Sequence, residues 1–399
     1  MPLAKDIIGH KAWVFLQGKT HAEYRRGLTP LFTNKAMSTY LPAQEKVFAD
    51  YFDKFVAASQ ANHNQPLPFM TLFREINCAL SCRTFFGDYI SPAAVKKIAD
   101  DFYLATAALE LVNVPFSMYI PFTKPWRGKR TADAVHAEFA KCAAACKRNM
   151  ATGAAPTCIV DHWVRYMFES NRYRERVAAG ETDAEKPANL IREFTDVEIS
   201  ETLFTFLFAS QDASSSATTW LFQILAQRPD VLDRLREENL AARGGDRNKP
   251  FDLPMLESLT YTAAVVKELL RYRPPVIFVP YLATKPFPIT PDYTVPKGAM
   301  VIPSCYPALH DPKVYPNPDV FDPDRWITGD AESKTKNWLV FGAGAHDCLA
   351  RRYVPLTMAA MIGKAALELD WRHVATDKSE EIRVFATLFP MVSASSRKA

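Results

Sequence analysis

The chain has 399 residues, 48% of them hydrophobic and 12% aromatic, which is ample for a large buried core. Its 48 basic and 44 acidic residues nearly cancel to +4, a balance that does not indicate a nucleic-acid footprint, although local clusters such as Arg25-Arg26 and Arg351-Arg352 suit an acidic protein partner. No apolar run reaches the roughly 18–20 residues needed to span a bilayer, and the opening MPLAKDIIGHKAW lacks the order of a signal peptide, so the chain as written is expected to be neither anchored nor secreted.

Near the N-terminus, GKTHAEYRRGL (18–28) sets His21 and Arg25 one helical turn apart. Apolar positions at spacings of three and four then predict helices over 43–59, 70–86, 93–111 and 128–150. The Pro-rich stretch 112–125 and the polar GETDAEKPAN (180–189) read as breaks. The seven cysteines show no zinc-binding spacing, and a reducing compartment is the expectation. Cys78/Cys82 and Cys142/Cys146 are each four apart, which reads as small buried side chains on a helical face.

Thr195-x-x-Glu198 is a capping-box signature that opens an almost unbroken helical pattern to Pro229. At 1.5 Å per residue this helix is roughly 50 Å long, and it is apolar on most faces, so it should cross the core. By residue type alone, its DASSS run (212–216) reads as a locally loosened turn. Glu268 and Arg271 in KELLR are three apart and share a helical face; a solvated surface pair is the commonplace explanation. From 274 to 326 prolines alternate with short β-prone runs (VIFVPYLA, YTVP, AMVIPS), ending in the meander HDPKVYPNPDVFDPDRW (310–326). A last helix is expected from Cys348 to about Leu369. The picture is a mainly α, single domain over 1–399 with a small β-rich part late in the chain.

FGAGAHDC (341–348) carries the most chemistry. Gly342 and Gly344 open backbone angles closed to other residues, which lets loop N–H groups turn toward the Cys348 sulfur. At a helix start, the positive dipole end lowers a thiol's pKa. These features suit a thiolate held as an axial metal ligand and tuned by N–H···S contacts. Phe341 is placed to lie against the sulfur, and His346 to donate to an anionic group at the site's edge. The plainer reading is a buried structural cysteine after a turn.

Glu-x-x-Arg, then H-D-P…F-x-P-x-R-W, then F-x-x-G-x-H-x-C, in this order, resembles the cytochrome P-450 superfamily. The resemblance implies a cytochrome P-450 fold, haem b with Cys348 as proximal iron ligand, and a buried triad of Glu268, Arg271 and Arg325. His21 and Arg25 match the family's pair on the haem propionates. The distal motif A-G-x-D/E-T-T/S corresponds to ASQDAS (209–214): Asp212 matches the acid, while Ala213 stands where threonine is usual, which leaves Ser214, Ser215 or Ser216, or ordered water, to supply the hydroxyl. Ala350 replaces the usual glycine after Cys-x.

WVFLQGKTHAEYRRGLTPLFTNKAMSTYLPAQE (13–45), REINCALSCRTFFGDYI (74–90), FLFASQDASSSATTWLFQILAQRPDVL (206–232) and RYRPPVIFVPY (271–281) look like the fungal sterol C-22 desaturases of ergosterol biosynthesis. That family introduces the C-22/C-23 double bond in the sterol side chain with O2 and electrons from NADPH-cytochrome P-450 reductase, at the endoplasmic reticulum membrane. The implied partners are a sterol and this reductase. Sterol-facing candidates are Phe204, Leu207 and Phe208 on the long helix and Val276, Ile277, Phe278 and Val279 beyond the Glu-x-x-Arg helix. Leu388 in the C-terminal loop completes the set. Against the family pattern, the chain is expected to be N-terminally incomplete, lacking the anchor, early helices and most of the first β-sheet. A 14α-demethylase-like monooxygenase, or a remnant without turnover, is the alternative.

Overall fold

The computed structural model describes residues 2–109, 117–384 and 387–391. Residues 110–111 of one expected helix and 112–116 of the Pro-rich break lie outside them. Helices dominate the first two thirds: α1 (Pro2–Ile8), α2 (Gly18–Leu28), α3 (Asn34–Ala61), α4 (Phe69–Phe86), α5 (Pro92–Leu109), α6 (Lys124–Met150) and α7 (Ile159–Ala178). They are followed by α8 (Asp196–Gln227), α9 (Pro229–Ala242), α10 (Leu253–Ser258) and α11 (Thr260–Tyr272). Short α12 (Tyr306–Leu309) and α13 (Tyr353–Glu368) are the last α-helices among the described residues. This mainly helical architecture agrees with the fold class expected from the sequence.

α8 begins where its capping residues place it. Thr195 Oγ1 accepts from the Glu198 N–H at 3.2 Å, and Glu198 Oε2 accepts from the Thr195 N–H at 3.0 Å. Two otherwise orphaned N–H groups are thereby satisfied. Its other end is set by Arg228, whose φ of −125° leaves the helix before Pro229 opens α9. Ile199, Leu203, Phe204, Leu207, Leu221 and Leu225 are buried among α4, α6, α9 and α11, so α8 runs through the core as its composition demands.

Three antiparallel pairs of short strands follow α11. β1 (Tyr281–Leu282) pairs β4 (Met300–Val301), and β2 (Phe287–Thr290) pairs β3 (Tyr293–Val295). The third is the C-terminal hairpin β5 (Ile382–Val384) and β6 (Leu388–Pro390), with Val384 opposite Leu388. Prolines at 274, 275, 280, 286, 288, 291 and 296 keep the strands before β4 short, since each removes a ladder donor.

The paired cysteines are buried free thiols on α4 and α6. They are not all apolar filler, because Cys146 Sγ donates to Asp161 Oδ1 at 3.2 Å. Asp161, in the first turn of α7, also accepts from Tyr89 Oη at 2.8 Å and from the Thr157 N–H at 2.9 Å. These bonds hold its carboxyl below the usual range against the opposing effect of burial.

The next residue, His162, is 1% exposed, with Nε2 2.9 Å from Thr39 Oγ1. Burial first, then the Arg165 charge, lowers its pKa to about 4; Lys35 acts in the same direction and Asp161 opposes. An unfolded imidazole titrates near 6.5, so between about pH 6.5 and 4 the unfolded chain binds a proton that the folded one refuses. Stability is held above that window and lost as pH falls through it. Going from pH 7 to 5 is expected to cost on the order of 1–2 kcal/mol at this residue after solvent screening. Thermal melts of wild type and His162→Gln at both pH values check this, the variant's pH dependence being flatter by that amount.

Candidate haem-thiolate site

Two glycines shape the loop before Cys348. Gly342 and Gly344 adopt φ of +70° and +80°, the left-handed region that side chains rarely enter. The turn returns the chain on itself, and the Cys348 N–H donates to the Phe341 carbonyl at 2.8 Å. The structure therefore records Phe341 through its backbone, with its ring packed on the edge of the core.

α13 does not start at Cys348. Residues 348–352 form turns, with the Arg351 N–H donating to the Cys348 carbonyl at 3.3 Å, and the helix opens at Tyr353. The Ala350 N–H points instead at the Cys348 sulfur and lowers its pKa, as do the Arg25 and Arg351 charges. Burial outweighs these and pushes the thiol up, with Asp347 adding to the rise. The expected lowering by a helix dipole is thus replaced by one directed amide. Coordination to a metal ion removes a thiol proton outright, so burial is no obstacle to a ligand role.

α2 docks on this loop. The His21 and His346 rings lie 3.9 Å apart, and Trp13 stacks on His21 at 5.6 Å. Arg25 Nη1 donates to the Asp347 carbonyl at 2.8 Å, and Nη2 pairs with the Asp347 carboxylate. Burial, then the His346 ring and the Arg25 charge, lowers the pKa of His21. Two buried ring nitrogens here, Trp13 Nε1 and His21 Nε2, have no partner among the described residues. The orphaned indole N–H and an imidazole that can place its proton on Nε2, beside an arginine and a second histidine, are the donor types that a buried pair of carboxylates requires, so the residues present fit the propionate edge of haem. Trp13 and Asp347 escaped the sequence reading. Trp13 is outside α2, and Asp347 looked like a loop residue.

The Glu-x-x-Arg pair is no solvated surface pair. Glu268 and Arg271 are 0% exposed and form a two-pronged ion pair at 2.9 and 2.8 Å. Arg325 Nε donates to Glu268 Oε1 at 3.0 Å, closing the triad. The Trp326 Nε1–H and the Asp322 N–H also donate to this carboxylate, at 2.9 and 3.0 Å. Arg271 and Arg325 spend their remaining donors on the carbonyls of Leu309, Pro316 and Val320. Five donors on one carboxylate weld α11 to the meander that leads into the cysteine loop. Trp326 was read only as part of a motif; its role in the network is a finding of the structure.

On α8, Asp212 and Ala213 are half-buried and Ala209 is exposed, so one helix face is open there. Arg74 of α4 pairs with the Asp212 carboxylate at 2.6 Å, and Gln211 Nε2 donates to the Arg74 carbonyl at 2.8 Å. At about 100° per residue, Ser214 stands roughly 200° around the helix from Asp212 and does not share its face. Ser215 donates back to the Gln211 carbonyl at 2.6 Å, and Ser216 donates to the Leu388 carbonyl. Ser214 therefore lies off the helix face that carries Asp212.

The proposed wall divides in a similar way. Phe204 and Leu207 are 0% exposed; Phe204 packs on Phe102 of α5 and His136 of α6 and belongs to the core. Phe208 is half-buried. Phe206 instead joins Trp13, Phe32 and Phe85 in an aromatic cluster between α8 and the α2 region. Beyond α11, Val276 is half-buried and Ile277 is buried, while Phe278 and Val279 are each 44% exposed. The Leu388 side chain is buried and its backbone is tied to α8, so it is a fixed point of the hairpin and not an open wall.

A family model described as Cytochrome P450 matches residues 3–380. The cytochrome P450 monooxygenase oblE of Emericella variicolor is 85% identical over 98% of this chain and 74% of its own length. The C-22 sterol desaturase ERG5B of Gibberella zeae is 78% identical over 98% of this chain and 73% of its own, and the C-22 sterol desaturase ERG5 of Saccharomyces cerevisiae 52% over 97% and 70%. Among solved structures, a retinoic-acid-bound cyanobacterial cytochrome P450 superposes with a TM-score of 0.76 at 19% identity, covering 98% of this chain and 81% of that one. With the glycine-shaped cysteine loop, the buried Glu268 network and these matches in agreement, the chain belongs to the cytochrome P450 family.

Proposed function

We propose that this chain is a haem-thiolate oxidoreductase that introduces the C-22/C-23 double bond into the sterol side chain in ergosterol biosynthesis. The observation that carries the reading is 78% identity, over 98% of the chain, to a C-22 sterol desaturase. It covers all of the site elements. Residues 1–399 would act as one unit, with O2 and with electrons from NADPH through a reductase.

Cys348 would hold the iron through Sγ, and Trp13, His21, Arg25 and His346 would receive the propionates. Bound there, haem supplies the O2-dependent removal of two hydrogens from neighbouring carbons. The chain's own residues position and exclude. The Ala350 N–H tempers electron density on the sulfur. Asp212, ion-paired with Arg74, would place a carboxylate on the open α8 face, where Ala213 offers no hydroxyl. Phe278 and Val279 supply exposed apolar surface for a sterol. Residence at the endoplasmic reticulum membrane belongs to the same proposal; among the described residues no helix is long and apolar enough to cross a membrane.

A second reading rests on the 85%-identical relative, whose name specifies a monooxygenase. Turnover of a C-22-saturated sterol with reductase, NADPH and O2 separates the two. Desaturation yields a product lighter by two hydrogens with a side-chain alkene. A product heavier by one oxygen, or lacking a methyl, would refute it.

A further inference from the structure

The serine run on α8 has a use that the haem site does not absorb. Asp212, Ser216, Trp220, Gln223 and Gln227 follow one another at spacings of four, four, three and four, which is one stripe of the helix. Beyond Asp212, every member of the stripe donates to the C-terminal segment. Ser216, 0% exposed, donates through Oγ to the Leu388 carbonyl, and Trp220 Nε1 donates to the same oxygen at 3.0 Å. Gln223 Nε2 donates to the Ser379 carbonyl at 3.1 Å and Gln227 Nε2 to the Glu380 carboxylate at 2.8 Å. The Leu388 N–H in turn donates to the Pro275 carbonyl at 2.9 Å, immediately before the Val276–Val279 stretch.

The peptide groups on either side of Leu388 thus join three elements: α8, the segment after α11, and the hairpin. Serine is poorer than alanine in a helix interior, so three in a row need a compensating bond. Ser216 finds it across the helix boundary. We infer that Ser216 and Trp220 are positioning residues for the sterol reaction: by giving the buried Leu388 carbonyl both of its donors, they hold the C-terminal hairpin and the Val276–Val279 wall in fixed register with the α8 face that bears Asp212. The inference rests on the sterol reading above.

Two donors on one acceptor make a specific pattern of effects. Either donor alone keeps the carbonyl satisfied, whereas losing both leaves a buried oxygen unpaired. The two changes should therefore be strongly non-additive. Ser216→Ala, Trp220→Phe and the double variant are compared with wild type as haem-loaded proteins. Readouts are sterol-induced absorption shift, KM against kcat, alkene formed per NADPH consumed, and Tm. Each single variant is expected to weaken sterol binding by less than about threefold and the double by about tenfold or more, with fewer alkenes per NADPH. A Tm loss in the double with sterol affinity and coupling unchanged would mean a merely structural tie and overturn the inference. Should the double variant not fold, Ser216→Val, which removes one donor and crowds the other at a fully buried position, takes its place: sterol affinity and alkene yield per NADPH both unchanged would overturn the inference. A wild type that gives no sterol-induced shift overturns the sterol reading itself and the inference with it, an outcome distinct from a shift that the variants leave intact.

Discussion

Cys348→Ala is expected to lower sterol turnover by at least about a hundredfold, since loss even of a residue supporting a metal ligand commonly costs 10–100-fold. The loop around the sulfur explains why no neighbour can substitute. The six other cysteines are distributed over α4, α6, the start of α7 and the segment before α12, and none lies in the 341–348 loop. His346, the nearest imidazole in sequence, packs against His21 with the two rings tilted by 33°. If Cys348 were a structural thiol, removing it would cost roughly the transfer energy of a small buried side chain, on the order of 1 kcal/mol, and leave chemistry alone. Turnover per bound haem, measured beside Tm, separates the two: a stable, haem-containing Cys348→Ala protein with undiminished turnover would contradict the ligand assignment.

Glu268→Ala is expected to be the most destabilising of the single changes considered. It strands two buried guanidinium groups, an indole N–H and a backbone N–H that now share one carboxylate. Breaking a buried pair from one side costs about 3–5 kcal/mol, a large share of the 5–15 kcal/mol by which a folded protein is stable. Because the network ties α11 to the meander before Trp326, the cysteine loop should lose its support and haem content should fall with Tm. Lys267→Ala is the internal comparison. Its partner Glu332 is 64% exposed at 2.6 Å, so that loss should stay below about 1 kcal/mol. Comparable losses in the two variants, measured by chemical denaturation, would overturn the claim that Glu268 anchors the core.

What could be read from residues alone were features carried by local spacing. The start of α8, the Glu268–Arg271 pairing and the glycines ahead of Cys348 each follow from a few neighbouring side chains, and the structure has all three. Features that depend on tertiary direction were not legible. The last helix starts at Tyr353, five residues later than the apolar pattern suggests, after turns that run through 349–352. Phe204 looked like a wall residue by type, but helix rotation turns it toward α5 and α6. α7 was not called, although its IVDHWVRYM run buries Ile159, Trp163 and Met167 at helical spacing. Trp13 and Trp326 serve sites remote in sequence, and a lone tryptophan carries no sign of where its N–H will point.

The central claim is that the Cys348 thiolate holds haem iron, and the absorption spectrum of the reduced, CO-bound wild-type protein tests it most directly. The account expects the red-shifted Soret band of a thiolate-ligated haem. A band at the position given by a nitrogen ligand, in a protein with full haem content, would contradict it.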